Sequence, residues 1–273
     1  MIKTRTAIAL AAAALLAPAA LAQTADVVLT DGNATATFGN PFGDPGFFQT
    51  GWDVAGTSHL SEQSFLFRDA NGLFPSFLDG QGPTGSLVSD TNFDGDDDTF
   101  FVQYDILGGV RTEITYSLAG GEGSSISSTI GELISFTNTT SETISFSFWQ
   151  FVDLDLGGDS DDSRVEILGG NTAEQADAAG GVFASESVTT PSPDGFFAGT
   201  IADVNDWVLF GGADSTGGSF DPAADLAWAF RWDFTLEAGD TAQISKLKSI
   251  VPTPGAAGLL AMGGLFAARR RRA

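Results

Sequence analysis

The stretch Leu226-Ala-Trp-Ala-Phe-Arg-Trp-Asp-Phe234 decides the fold class of this chain. Large apolar residues occupy every second position of it, and small or charged residues lie between them. This alternation predicts a β-strand with one buried face, because successive side chains of a strand point to opposite sides of the sheet. The same alternation recurs over residues 100–106, 110–118 and 144–148.

Glycine-rich turns separate these alternating stretches. Seven Gly-Gly pairs lie between residues 108 and 218, which interrupts the chain too often for long helices. Only residues 173–179 and 197–210 carry a helical pattern. Many short strands, and 23 Phe to fill a layer between sheets, predict an all-β fold, an antiparallel β-sandwich of the jelly-roll type.

Composition excludes several classes of function. The 273 residues contain no Cys, a single His at position 59, and 12 basic against 35 acidic residues. Thiolate chemistry and histidine-rich metal sites are therefore excluded. The formal charge of −23 argues against nucleic acid as a partner, since phosphate recognition needs clustered Lys and Arg.

The N-terminus has the composition of a secretory signal peptide. A basic start is followed by an apolar run and by the small-residue site Ala20-Leu21-Ala22, which predicts a signal helix over residues 1–22 and an exported protein. Residues 23–250 then form one predicted ectodomain. It has six basic residues against all 35 acids, hence a formal charge of −29.

The C-terminus carries a second targeting pattern over residues 251–273. It begins with Val251, Pro252, Thr253, Pro254 and Gly255, continues with an apolar run, and ends with Arg269, Arg270, Arg271 and Arg272. The apolar run of about 13 residues would form a helix of about 20 Å, shorter than a hydrocarbon core of roughly 30 Å. The terminal arginines would hold its end on the cytoplasmic side.

This segment resembles the PEP-CTERM sorting signal, which combines a Pro-x-Pro motif, a short transmembrane helix and an arginine cluster. It departs from the family at Thr253, where the motif has Glu. The resemblance implies an exosortase-type transpeptidase as partner, transient insertion of the tail in the inner membrane, and delivery to the cell envelope or extracellular matrix.

An acidic loop is the first candidate metal site. Its candidate ligands follow the pattern D-x-[DN]-x-[DN]-G of a calcium loop: they are Asp90, Asn92, Asp94, Asp96 and Asp98. The bidentate Glu that ends an EF-hand loop is missing, since Phe101 stands there. The loop is therefore either a calcium site of an extracellular type or a solvated acidic turn.

A second acidic loop follows the alternating stretch that begins at residue 144. Asp153, Asp155 and Asp159 are close enough in sequence to converge on one ion, although their spacing fits no established calcium template.

Three functions remain open from the sequence. The first is a non-enzymatic surface or matrix protein with a structural or adhesive role, stabilised by calcium. The second is a calcium-assisted module that binds exopolysaccharide, for which Trp52, Trp149 and Trp207 are the candidate exposed rings. The third is a hydrolase of glycans that uses paired carboxylates. The composition favours the first, and it marks no residue as catalytic.

Overall fold

A computed structural model describes residues 26–40, 48–123, 125–179, 181–212, 219–220 and 224–253. These residues form two antiparallel sheets. Sheet A contains β1 Val27–Asp31, β2 Ala34–Phe38, β3 Gln49–Val54, β4 Thr57–Ser58, β5 Glu62–Asp69, β6 Ser76–Phe77, β11 Ile144–Asp153, β15 Gly195–Thr200 and β17 Leu226–Leu236. Sheet B contains β7 Gly85–Ser89, β8 Thr99–Ile106, β9 Val110–Gly120, β10 Ser128–Asn138, β12 Asp162–Leu168, β13 Thr172–Asp177, β14 Val182–Thr190, β16 Ser219–Phe220 and β18 Thr241–Pro252.

The strand order explains how the chain builds both layers. Sheet A runs β1-β2-β3-β5-β11-β17-β15, and sheet B runs β16-β12-β13-β14-β18-β10-β9-β8-β7. The predicted antiparallel sandwich is therefore confirmed. The jelly-roll detail differs, because a jelly roll has about eight strands in two Greek keys, whereas here β7 to β10 and β12 to β14 are runs of consecutive strands within one sheet.

The core lies between the inner faces of the sheets, and aromatic rings fill it. In β17 the side chains of Leu226, Trp228, Phe230 and Trp232 are fully buried, as the alternation predicts. Phe136 of β10 packs against rings of sheet A at centroid distances of 4.9 to 5.3 Å. Such contacts hold two sheets about 10 Å apart.

Four charged side chains also lie in this core: Glu132, Glu186, Lys246 and Lys248. We call them the ionic cluster. The Lys246 ammonium is 2.6 Å from Glu132 and 3.6 Å from Glu186, and all four side chains are at most 1% exposed. Burial alone would raise the pKa of Glu132, but the two ammonium groups outweigh it and lower that pKa to about 2.

Two amides of sheet A donate hydrogen bonds to the ionic cluster. Gln63 donates to Glu132 over 3.1 Å, and Gln150 donates to Glu186 over 3.0 Å. Gln63 also accepts a hydrogen bond from Lys248. The four charges lie on sheet B and the two amides on sheet A. These hydrogen bonds therefore fix how one sheet is placed on the other, since a buried charge without such partners is costly.

One α-helix covers the outer face of sheet A. Helix α1, Ile201–Leu209, begins at the N-cap Thr200, whose hydroxyl accepts from the Asp203 backbone N–H at 3.3 Å. Val204 and Val208 of α1 pack on Trp149. The helical prediction over 197–210 is thus confirmed in part. The one over 173–179 is wrong, because burial there alternates with period two in β13.

The two termini lie largely outside the described residues. The predicted signal helix 1–22, the predicted tail helix, Pro254, Gly255 and the arginines 269–272 are among the residues not described. Val251 and Pro252 are part of β18, where they pair with β14. Among the described residues no helix is long and apolar enough to span a membrane.

Candidate functional site

Carboxylates gather where β11 ends. Glu62 of β5 is the register partner of Asp153 of β11, so both side chains lie on the same face of sheet A. That face is the outer one, because Phe151, two residues before Asp153, packs beneath α1. The outer face of sheet A is thus apolar under the helix and acidic beside it.

Three of the acids converge on one point. The side chains of Asp153, Asp155 and Asp225 each bring a carboxylate oxygen within 4.8 Å of the other two; we call them the acidic cluster. Asp153 is 3% exposed, and its Oδ1 has no hydrogen-bond partner among the described residues. Asp155 and Asp225 are half-buried, so the acidic cluster has one deep member and two nearer to solvent.

The acidic cluster is electrostatically unfavourable as it stands. Burial, followed by the charges of Asp225 and Asp155, raises the pKa of Asp153 to about 7. Burial, followed by the charges of Asp225 and Asp159, raises the pKa of Asp155. Burial likewise raises the pKa of Glu62, although Ser64 donates a hydrogen bond to it. Each shift disfavours the charged form of these neighbouring acids.

Backbone contacts fix the turn that carries Asp155. A short 3₁₀ turn, Leu156–Gly158, follows it. The buried ring of His59 accepts a hydrogen bond at Nδ1 from the Gly157 backbone N–H at 3.0 Å, and the Ser61 N–H donates to the Asp153 carbonyl at 3.1 Å. Burial lowers the pKa of His59, which favours the neutral ring that can accept this bond.

Asp162 helps to position the acidic cluster through its backbone pairing with Ala224. It is fully buried, and Gln175 donates a hydrogen bond to its Oδ2. Its backbone pairs with Ala224, the residue before Asp225, so it positions the segment that brings Asp225 to the cluster. Burial raises the pKa of Asp162 to about 9, in spite of the hydrogen bond from Gln175.

A cleft of about 180 Å³ lies next to these carboxylates. Strands β5, β6 and β11 form one side of it and helix α1 forms the other. Its walls are mainly apolar, with a carboxylate, a hydroxyl and an amide among them: Glu62, Ser64, Leu66, Phe77, Phe151, Asn205, Val208 and Leu209. Glu62 thus belongs to the cleft and also contributes to the field that acts on Asp153.

A second, larger depression of about 510 Å³ lies at the other end of β11. Its lining comes from the turns 69–71 and 143–145 and includes one carboxylate, that of Asp69. This carboxylate accepts a hydrogen bond from the Asn71 N–H at 2.7 Å, so it serves the turn. The smaller cleft is the better candidate site, because it combines an apolar wall with converging polar groups.

The acidic loop 90–98 is ordered by its own hydrogen bonds. Asp98 is 4% exposed and accepts bonds from the backbone and hydroxyl of Thr91, from the Asn92 N–H and from the Thr99 hydroxyl. Burial would raise the pKa of Asp98, but these bonds lower it. Asp90 accepts from two backbone N–H groups, and Asp94 accepts from the Asp96 N–H.

The calcium hypothesis for the loop 90–98 thus stays a prediction. Of the second predicted set, Asp153 and Asp155 do lie together, but their third neighbour is Asp225. Asp159 is exposed, accepts a hydrogen bond from the Asp161 N–H, and contributes to the raised pKa of Asp155 through its charge. The sequence gives no signal for Asp225, since 70 residues separate it from Asp155 and it joins through the pairing of β17 with β11.

The tryptophans do not form an exposed platform. Trp52 and Trp149 are fully buried, the first in the core and the second under α1. Trp207 is partly buried and stacks on Phe197 at 6.0 Å. The rings expected to bind polysaccharide therefore stabilise the fold.

No protein-family model and no curated protein matches this chain. A bacterial glucoamylase complexed with acarbose has a similar structure, with a TM-score of 0.56 and 11% identity over 90% of this chain. This chain spans 35% of that structure. A galactose mutarotase-like protein from Lactobacillus casei matches with a TM-score of 0.49 and 10% identity over 82% of this chain and 99% of its own.

The comparison corrects the functional prediction. A non-enzymatic surface protein with a structural or adhesive role was expected, and this expectation is wrong, because the fold is shared with part of a carbohydrate-processing enzyme. At 11% identity the likeness concerns the fold, and function has to be argued from the site.

Proposed function

We propose that this chain is an exported carbohydrate-processing enzyme that hydrolyses glycosidic bonds in the cleft between α1 and the outer face of sheet A. The observation that carries the proposal is the position of Glu62, which lines the cleft and is the register partner of Asp153. A sugar held in the cleft would lie against Glu62, with the acidic cluster next to it on the same face of sheet A.

Hydrolysis of a glycosidic bond needs a proton donor and a carboxylate that activates water or attacks directly. Glu62 is the proton donor in this scheme: it protonates the departing glycosidic oxygen as the bond breaks. An ionised carboxylate of the acidic cluster accepts the proton of the attacking water, whose oxygen forms the new bond to the sugar carbon. The raised pKa of Glu62 is in the direction that a proton donor requires.

The cleft also limits the substrate. Its volume of about 180 Å³ is below the roughly 300–1,000 Å³ of pockets that enclose drug-sized ligands. It therefore receives a small part of a glycan, with the remaining chain outside. Phe77 and Phe151 offer apolar surface, while Asn205 and Ser64 offer hydrogen bonds, and this combination suits a sugar ring.

The termini supply the proposed location. The signal peptide 1–22 would direct export, and the tail that resembles a PEP-CTERM signal would bring the chain to an exosortase-type transpeptidase at the inner membrane. The cell envelope or extracellular matrix would then be the place of action, and exopolysaccharide the substrate at hand. A formal charge of −29 over residues 23–250 favours neutral or calcium-bridged glycans over free polyanions.

The test is the release of reducing ends by the purified full chain from a panel of α- and β-linked glycans that includes exopolysaccharide. We expect activity in the wild type and a loss of about 10²–10⁴-fold in Glu62→Gln, the range of general acid catalysis. Glu142→Gln is the matched control, because Glu142 is exposed in the turn before β11. Equal rates for Glu62→Gln and the wild type would contradict the proposal, as would inactivity on every glycan.

A further inference from the structure

The acidic cluster contains more negative charge than its surroundings balance. None of the ion pairs among the described residues involves Asp153, Asp155 or Asp225. By contrast, the acids of the ionic cluster each have lysine partners within 4 Å. Carboxylates so close together repel one another unless they share a proton or a cation.

The deepest member of the acidic cluster gives an independent sign of a ligand. Asp153 is 97% buried, yet its Oδ1 has no hydrogen-bond partner among the described residues. Buried polar atoms are nearly always satisfied, and an ion or a water that completes the site is one explanation of an exception. Among the described residues, Asp225 Oδ1 is a second such atom in the same cluster. Asp153 Oδ1 belongs to a side chain whose ligand atom lies within 4.8 Å of those of Asp155 and Asp225.

We propose that Asp153, Asp155 and Asp225 bind one calcium ion at the edge of the cleft. The donor set consists of carboxylate oxygens, which hard divalent cations prefer. Two oxygens bound to one calcium at about 2.3–2.6 Å can be up to about 5.2 Å apart, and calcium accepts a more variable geometry than magnesium, which demands a near-ideal octahedron. The carboxylate oxygens lie within 4.8 Å of one another, so calcium can reach all three without rearrangement.

The fold holds these ligands with little freedom. Asp153 ends β11 and is paired on both sides, with Glu62 of β5 and Ala227 of β17. Asp225 lies between β17 and the bridge of Ala224 with Asp162. A site fixed by two sheets and a turn needs little reorganisation to bind an ion, and waters complete the coordination shell of the calcium.

The bound ion would also take part in substrate binding, and this part of the inference rests on the proposed function. Calcium at the cleft edge offers coordination positions to sugar hydroxyls, so it orients the substrate. Each carboxylate has two oxygens, so one can bind the ion while the other accepts a proton. Glu62 is outside the ligand set and remains the proton donor.

The test is thermal unfolding of the full chain in EDTA and in 10 mM calcium. With a dissociation constant of about 10⁻⁴–10⁻³ M, as in extracellular calcium modules, the melting temperature should rise by roughly 3–10 °C. Asp225→Asn should abolish this rise while melting no lower than the wild type in EDTA. Asp155→Asn should behave in the same way. Asp94→Asn, in the loop 90–98, is the matched control and should retain the full rise.

The outcomes are distinct. No rise in the wild type, or an equal rise in Asp225→Asn, would overturn the calcium site, and an equal rise with 10 mM magnesium would overturn the choice of ion. Activity is measured separately on the same samples. If calcium raises the melting temperature of a protein that is inactive on every glycan, the proposed function is refuted and the ion site stands. If the protein is fully active in EDTA and calcium does not raise its melting temperature, the ion site is refuted and the proposed function stands.

Discussion

Replacing Lys246 by Met tests the ionic cluster. The side chain is 1% exposed, with its ammonium 2.6 Å from Glu132 and 3.6 Å from Glu186. Met preserves most of the volume, so the change is mainly one of charge. The variant leaves two buried glutamates with one lysine, and the excess negative charge has no access to water.

The expected loss of stability follows from the lowest-energy way to remove that charge, which is to protonate one glutamate. Relative to an unfolded Glu with a pKa of about 4.3, protonation at pH 7 costs about 3.7 kcal/mol, at about 1.36 kcal/mol per pH unit. This agrees with the roughly 3–5 kcal/mol measured for broken buried pairs. For a domain of this size it lowers the melting temperature by roughly 7–15 °C.

The cost should also depend on pH, with a definite sign. The retained glutamate binds a proton in the folded variant and has lost it in the unfolded chain, so the variant loses stability relative to wild type as pH rises above about 4.3. At pH 5 the difference should fall to about 1 kcal/mol. Differential scanning fluorimetry at pH 5 and pH 7 measures both values.

Two further variants complete the experiment. Arg164→Met removes an exposed pair with Glu166 at 3.6 Å and should cost less than about 1 kcal/mol. Lys246→Met combined with Glu132→Gln restores neutrality and should recover most of the loss. If Lys246→Met melted within about 2 °C of the wild type at pH 7, or if its loss were the same at pH 5, the reasoning would be refuted.

Three other predictions concern a buried carboxyl near the site, the acidic loop 90–98 and the cap of α1. The stability of the wild type should fall as pH rises from about 4 to about 9, because the Asp162 carboxyl keeps its proton in the folded state up to a pKa of about 9 and loses it at lower pH when unfolded. Asp162→Asn, studied in EDTA, should weaken this pH dependence. Urea unfolding at pH 5 and pH 8 measures it, and an unchanged pH profile would contradict the prediction. Asp98→Ala should cost about 2–3 kcal/mol equally in calcium and in EDTA, since the loop supplies its partners; a loss seen only in calcium would mean that this loop binds the ion. Thr200→Ala should cost about 1 kcal/mol through the lost helix cap and reduce protection of α1 amides in hydrogen exchange, and unchanged protection would argue against the cap.

The sandwich could be predicted because its signal is local. Alternation in β9 and β8 states directly which side chains are buried, and Gly-Gly pairs mark the turns. In β17 the alternation gives one buried face, but Ala227 and Ala229 of the other face are buried as well. The expected helix over 173–179 is wrong because the local signal is weak there. Small residues permit a helix, but pairing with β12 and β14 on both sides makes this segment strand β13, with alternate residues buried.

The ionic cluster had a sequence signal that the charge count concealed. Lys246 and Lys248 lie on the same face of β18 as Ile244 and Ile250, and Glu132 lies between Ile130 and Ile134 on one face of β10. Charged residues inside a period-two apolar pattern indicate buried partners on a neighbouring strand. Counting them as surface charge missed this pattern.

The candidate site was only half visible in the sequence. Asp153 and Asp155 are two residues apart at the end of a strand, so their proximity is local. Glu62 of β5 and Asp225, which directly precedes β17, are distant in sequence and join only when β11 pairs with β17 and β5. With 35 acids in the chain, composition gave no means of selecting these two.

The most direct test of the central claim is to close the cleft without touching a carboxylate. Asn205 is exposed on α1 and lines the cleft, whereas Ala202, exposed on the same helix, does not. Asn205→Trp should abolish the release of reducing ends from the glycan that the wild type cleaves, while Ala202→Trp should retain it and both should melt like the wild type. Undiminished activity in Asn205→Trp would mean that glycans are processed elsewhere on the molecule.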